Sequence, residues 1–164
     1  MELRRRLDFR YVFVGIYIVL FLVYVIVGLR PVQAVNPAVT GDLVIPSIGL
    51  ESNVGALSLK EHRLETPDTI VGSYTRADNK TLLIGHSTTV FQNLDNVKVG
   101  DEVVYNEKRY IVTEIVILAK DEISMGSILK SEDDDTLVIM TCAGELLGGG
   151  EATHRLIVTA VAVE

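Results

Sequence analysis

Residues 102–117 read EVVYNEKRYIVTEIVI, two β-type runs joined by the turn-forming Asn106-Glu107-Lys108. Val, Ile, Tyr and Thr dominate both runs, and such side chains fit the pleated, half-buried surface of a sheet. A short polar turn between runs of this kind reads as a hairpin. The same texture continues on both sides. Upstream, Leu43-Val44-Ile45 ends at Pro46, and Thr81-Leu82-Leu83-Ile84 runs into Gly85-His86-Ser87. Downstream, Thr136 to Thr141 and Arg155 to Val163 complete the set. Short strands with frequent turns from Asp42 onward predict an all-β barrel or sandwich. Two short helices are expected inside it, over Leu57–Leu64 and as a single turn over Ser124–Leu129. No repeat is present.

The N-terminal part has a different character. Residues 11–29, YVFVGIYIVLFLVYVIVGL, carry no charge. As a helix this run spans roughly 28 Å, close to the hydrocarbon thickness of a bilayer. Arg4, Arg5, Arg6 and Arg10 precede it and only Arg30 follows closely. Positive charge stays on the cytoplasmic side. The expected organisation is therefore a cytoplasmic N-terminus over 1–10, a transmembrane anchor over 11–29 and a proline-containing linker over 30–41. A single extracytoplasmic domain over 42–164 would follow, held at the cell membrane. A cleaved signal peptide ending near Val32-Gln33-Ala34 is the rival, but its apolar core would be too long for that class. Both readings export the domain.

The chain has 164 residues, room for one domain, and a hydrophobic content of 48% that is concentrated in this N-terminal run. Residues after 30 hold ten basic and twenty acidic side chains, a net charge of −10. That sign argues against binding nucleic acid or anionic lipid through bulk charge. The run Glu132-Asp133-Asp134-Asp135 reads as a solvated loop. It lacks EF-hand spacing, so a calcium role has no motif behind it. No zinc-ligand cluster, phosphate loop or GxSxG is present, and no cofactor or metal is expected.

Cys142 is the only cysteine, so it cannot form an internal disulfide. It closes the run Leu137-Val138-Ile139-Met140-Thr141 and precedes a loose glycine-rich stretch. A thiol there is either a small buried hydrophobe or a nucleophile held at a strand end. His86 lies where an apolar strand gives way to a loop, so its imidazole either faces a cleft or caps the strand. A histidine beside a thiol takes and returns its proton. Arg155 opens the strand after Cys142. If those strands pair, both side chains sit at the same end of the sheet. A guanidinium there binds a carbonyl and stabilises an oxyanion, or else it pairs with Glu145 or Glu151 at the surface.

The order of these features resembles the sortase family. A strand ends in Gly85-His86, a later one in Thr141-Cys142, and Arg155 begins the last apolar strand, all behind one N-terminal apolar segment. The family's nucleophile motif is Thr-Leu-x-Thr-Cys; residues 138–142 read Val-Ile-Met-Thr-Cys and keep its last two positions. Ile45-Pro46-Ser47-Ile48-Gly49-Leu50, Phe91-Gln92-Asn93-Leu94 and Val99-Gly100-Asp101 add to the likeness, which covers residues 43–163. The resemblance implies a closed eight-stranded β-barrel with one or two short helices and a cysteine transpeptidase activity. Such enzymes cleave a Leu-Pro-x-Thr-Gly-like sorting signal between Thr and Gly through a thioacyl-enzyme. An amine acceptor, a cell-wall peptide or a pilin lysine, then receives the Thr carbonyl. By the same resemblance Cys142 is the nucleophile, His86 the general acid/base, Arg155 the substrate and oxyanion stabiliser, and Thr141 a substrate-positioning residue. The partners would be secreted proteins with a C-terminal sorting signal. The alternative is a membrane-tethered, non-catalytic binding module on the same barrel.

Overall fold

The computed structural model describes residues 9–28, 36–59, 64–76, 80–128, 130, 135–146 and 152–163. Eight strands make up its sheet: β1 Val39–Ile45, β2 Leu50–Ala56, β3 Val71–Arg76, β4 Lys80–Ile84, β5 Glu102–Tyr105, β6 Lys108–Ala119, β7 Thr136–Leu146 and β8 Ala152–Ala162. Their order is β1-β2-β3-β4-β7-β8-β6-β5, and pairing of β1 with β5 closes the barrel. Closure leaves no unpaired edge.

Local chemistry sets the turns. Asn106 and Glu107 take φ of 49° and 65°, so the β5–β6 hairpin turns on two residues with left-handed backbone. Such a turn matches the right-handed twist of the flanking strands. After β1, Pro46–Ile48 makes one 3₁₀ turn that Gly49 ends at φ 63°, its amide bonded to Pro46 O. Two pairs, β2–β3 and β4–β7, are parallel and so need long crossovers. The first crossover packs close to β3: a Cβ on Gly72 would lie 2.5 Å from Leu57 Cδ1.

The interior holds Leu43, Ile45, Val54, Val71, Leu83 and Val103, all fully buried, together with Leu137, Ile139 and Val158. A bulge between Val112 and Glu114 shifts the phase of β6, so its inward residues pass from Tyr110 and Val112 to Ile115. A second apolar cluster lies on the outside of the β4–β7–β8 strip. It contains Leu82, Ile84, Val138 and Ile157, with Ile128 of α2, Met125–Ile128, laid over it. Each such side chain contributes roughly 1.5–3 kcal/mol when fully buried.

Three expectations change. Leu57–Leu59 is irregular rather than helical, because the Leu57 amide is used by Ser73 O at 2.7 Å, prolonging the β2–β3 pairing. Leu64 is likewise non-helical, and 60–63 lie outside the described residues. The segment read as linker is already structured at its end. β1 starts at Val39, and the Asn36 side chain both donates to Thr69 Oγ1 and accepts from the Thr69 amide. The strands flanking the glycine-rich stretch also run further than expected, to Leu146 and from Ala152. The expected turn over Ser124–Leu129 is present as α2.

The chain divides into two units between Gln33 and Ala34. The first contains α1, Phe9–Gly28, whose side chains from Phe13 to Tyr24 are exposed. The expected anchor over 11–29 overlaps this helix. Among the described residues no helix is long and apolar enough to cross a membrane.

Candidate active site

Strand register pairs two of the three residues singled out by sequence, and the third follows the strand beside them. β7 and β8 are antiparallel, and Cys142 is directly opposite Arg155. Opposed residues project to the same face of a sheet. β4 and β7 are parallel, with Ile84 level with Met140. His86 lies two residues beyond the end of this pairing, in the loop after β4. A hydrogen bond shows that the alignment persists past the end of β4: buried Thr141 donates its Oγ1 to Gly85 O at 2.8 Å. Neighbouring strands lie about 4.8 Å apart, so Cys142 and Arg155 sit one strand spacing from each other.

Alternation fixes the face. Leu137, Ile139 and Leu83 point into the barrel, whereas Val138, Met140, Leu82 and Ile84 belong to the outer cluster. Cys142 follows the phase of Val138 and Met140, and Arg155 that of Ile157, so both lie on the outer face. Cys142 is half-buried. The thiol is thus at the end of an apolar strip, neither sealed in the core nor fully in water. Of the two sequence readings, the inert core cysteine does not fit this placement.

Arg155 is held by its own backbone. Its Nη1 donates to Ala152 O at 3.1 Å and His154 O at 2.9 Å. A guanidinium carries five N–H groups, so Nε and Nη2 retain donors for a ligand. Among the described residues no carboxylate pairs with it, Glu145 included; Glu151 lies outside them. The His86 segment is braced as well. His86 O accepts from the amides of Thr89 at 3.3 Å and Phe91 at 3.0 Å, and Thr89 Oγ1 donates to Asp68 O. Thr141, expected to position substrate, bonds the strand end that precedes His86 and also lines the cavity at Cys142.

A cavity of about 390 Å³ adjoins the sulfur. Ser87, Gln92 and Asp95 line it from the segment after His86, and Thr141, Cys142 and Gly144 line it from β7. Sequence reasoning missed Ser87 and Asp95; their one signal was that Ser87 adjoins His86 and Asp95 adjoins the Phe91–Leu94 motif. Among the described residues no three His, Cys, Asp or Glu side chains converge as a metal site. Glu132, Asp133 and Asp134 lie outside the described residues, and Asp135 instead pairs with Lys108 at 2.6 Å.

Comparisons with known proteins agree with this architecture. The sortase domain family matches residues 43–163. No curated protein matches. Sortase A of Listeria monocytogenes superposes with a TM-score of 0.59 at 19% identity, covering 77% of this chain and 88% of that one. Sortase C-1 of Actinomyces oris gives 0.59 at 27% identity, over 79% and 74% of the two chains. A sortase D5 transpeptidase of Clostridium perfringens gives 0.58 at 22% identity, over 77% and 79%. Sortases of three different kinds thus fit about equally well, and the subclass is not resolved. With seven strands, the end of β1 and the Cys142–Arg155 strand pair inside the matched span, this chain belongs to the sortase family.

Proposed function

We propose that the domain is a cysteine transpeptidase that cleaves a Leu-Pro-x-Thr-Gly-like signal between Thr and Gly. The Thr carbonyl is then joined to an amine of a cell-wall peptide or a pilin lysine. The reading rests on one observation above the others: Cys142 and Arg155 are register partners in one row on an outer face, and the loop that carries His86 follows the neighbouring strand.

The chemistry follows from that row. The Cys142 thiolate attacks the Thr carbonyl carbon, and the free donors of Arg155 take the developing oxyanion. The tetrahedral species collapses by breaking the C–N bond, and imidazolium at His86 gives its proton to the leaving amine. A thioacyl-enzyme remains, with His86 neutral and able to accept a proton from the incoming amine. On this reading residues 11–29 anchor the chain in the cell membrane with the N-terminus inside, and the substrates are secreted proteins with C-terminal sorting signals.

Incubation of the full-length chain with a Leu-Pro-x-Thr-Gly peptide should give a thioacyl adduct on Cys142 by intact mass. Cys142→Ala should abolish cleavage, and Arg155→Lys should lower kcat about 100-fold, the usual cost of losing an oxyanion donor. Cleavage by Cys142→Ala at the parental rate would overturn the mechanism. An unreactive Cys142 with no peptide turnover would instead favour the non-catalytic binding module.

A further inference from the structure

Just past Cys142 the β7–β8 ladder is interrupted in a defined way. Ala143 is opposite His154 and Leu146 is opposite Ala152, so Gly144 and Glu145 together face Thr153 alone. Gly144 takes φ 77°. Two residues against one, the first a left-handed glycine, make a β-bulge, a feature that recurs beside active sites and re-aims the strand. Gly144 also lines the cavity at Cys142.

Side chains of β8 hold this bulge. The Glu145 amide donates to Thr153 Oγ1 at 3.1 Å, a side-chain bond where the ladder breaks. Thr153 Oγ1 lies 2.8 Å from His154 Nδ1. A hydroxyl has one proton and two lone pairs, so it accepts from Glu145 and still gives its own proton to an unprotonated Nδ1. Both polar atoms press on Gly144: a Cβ there would lie 2.6 Å from Thr153 Oγ1 and 2.7 Å from His154 Nδ1.

The same short stretch holds Arg155. Its Nη1 donates to Ala152 O and His154 O, the carbonyls on either side of Thr153. Their direction follows from the backbone of residues 152–154, which the Thr153 hydroxyl ties to β7. We propose that Thr153 and His154 are positioning residues: by pinning the bulge, they hold the two carbonyls that clamp the Arg155 guanidinium in the row of Cys142. This inference rests on the transpeptidase reading and adds to it the device that keeps the oxyanion-stabilising group in place. Neither side chain takes part in bond making, and His154 is on the opposite face of β8 from Arg155.

The guanidinium can be sensed from the sulfur itself, without turnover, because Cys142 is the only thiol. The full-length chain is treated separately with sulfonatoethyl methanethiosulfonate and with the neutral methyl reagent. The ratio of the two rates reports positive charge near the sulfur. Arg155→Gln should lower the ratio about threefold, the effect of one charge about 7 Å away in a water-like dielectric. Thr153→Val and His154→Leu should each lower it about twofold, because the guanidinium is present but no longer held. Thr153→Ser and His154→Asn, which restore the hydroxyl and an acceptor close to Nδ1, should return it to the parental value. In donor-peptide cleavage Thr153→Val should lower kcat about tenfold at nearly unchanged KM, since a misplaced oxyanion donor weakens the transition state alone. Thr153→Ser should recover that loss.

If Arg155→Gln lowers the ratio while Thr153→Val and His154→Leu do not, the clamp is overturned. Losses shared by Thr153→Val and Thr153→Ser, or by His154→Leu and His154→Asn, would mark a packing role and overturn it as well. A parental ratio in Arg155→Gln would place the guanidinium away from the sulfur and remove the basis of the inference. No donor cleavage by the parent overturns the transpeptidase reading, while the reagent ratio still decides the clamp.

Discussion

The two faces of β7 carry different burdens within one strand. Its inward residues, Leu137 and Ile139, are fully buried, and inward Thr141 is 4% exposed. Its outward residues run from Val138, under α2, through partly covered Met140 to half-buried Cys142. Burial on the inner face is constant along the strand, whereas on the outer face it falls toward the thiol. The barrel is therefore held by one face while the other is free to grade from packing into chemistry. The most severe break of this contrast is Ile139→Ala. It should cost about 2–5 kcal/mol in denaturant unfolding, the range for emptying a fully packed core position. The fraction that stays folded should keep its parental kcat. A large fall in kcat at unchanged fold would show that the inner face contributes to chemistry as well.

Thr141 and Met140 sharpen the contrast, since they are neighbours on opposite faces. Thr141→Val keeps shape but removes the bond to Gly85 O and leaves a buried carbonyl unsatisfied, at about 1–3 kcal/mol. Because that bond aligns the end of β4 with β7, kcat and the pH–rate profile should also change through displacement of His86. Met140→Ala empties only a partly covered outer position. Its stability cost should be about 1 kcal/mol, below the range for fully buried sites, while KM for the donor peptide rises. If the two variants gave the same KM and kcat pattern, the division between faces would fail.

Sequence made some of this legible and hid the rest for a physical reason. The β5–β6 hairpin was readable because a two-residue polar turn and its flanking strands are local. The shared end of Cys142 and Arg155 was readable because a short connection forces neighbouring antiparallel strands. The parallel β4–β7 pair was not, because more than fifty residues separate the partners and alternation reports a face, never a neighbour. Thr136–Cys142 is apolar on both faces, so its pattern could not say which side held the thiol; Ile128 of α2, covering the outer cluster, decides that. Leu57–Leu59 misled because its composition suits a helix, while the Leu57 amide already had a strand partner. Asp95 was invisible as a site residue because only the fold brings it to the cavity that Cys142 also lines.

The smallest effect tests the inner face at the other end of β7. Tyr110 is a buried β6 residue whose hydroxyl donates to Asp135 Oδ1 at 3.5 Å, just before β7 begins. Burial, with the Asp135 carboxylate and Tyr105 nearby, pushes its pKa up to about 12. The folded state therefore holds this proton more tightly than the unfolded chain, where a tyrosine loses it near 10. The resulting stability is fully present below pH 10 and is lost as pH rises from 10 to 12, because only the unfolded chain is then deprotonated. The slope from this one group cannot exceed about 1.4 kcal/mol per pH unit. The informative quantity is the difference between the parent and Tyr110→Phe. Below pH 9 the variant should match the parent to within about 1 kcal/mol, since only one long hydrogen bond is lost. Between pH 10 and 12 it should lose stability less steeply than the parent in urea unfolding. Parallel curves over that interval would mean that the inner face near Asp135 is wet, and that the dry interior of the barrel stops short of the start of β7.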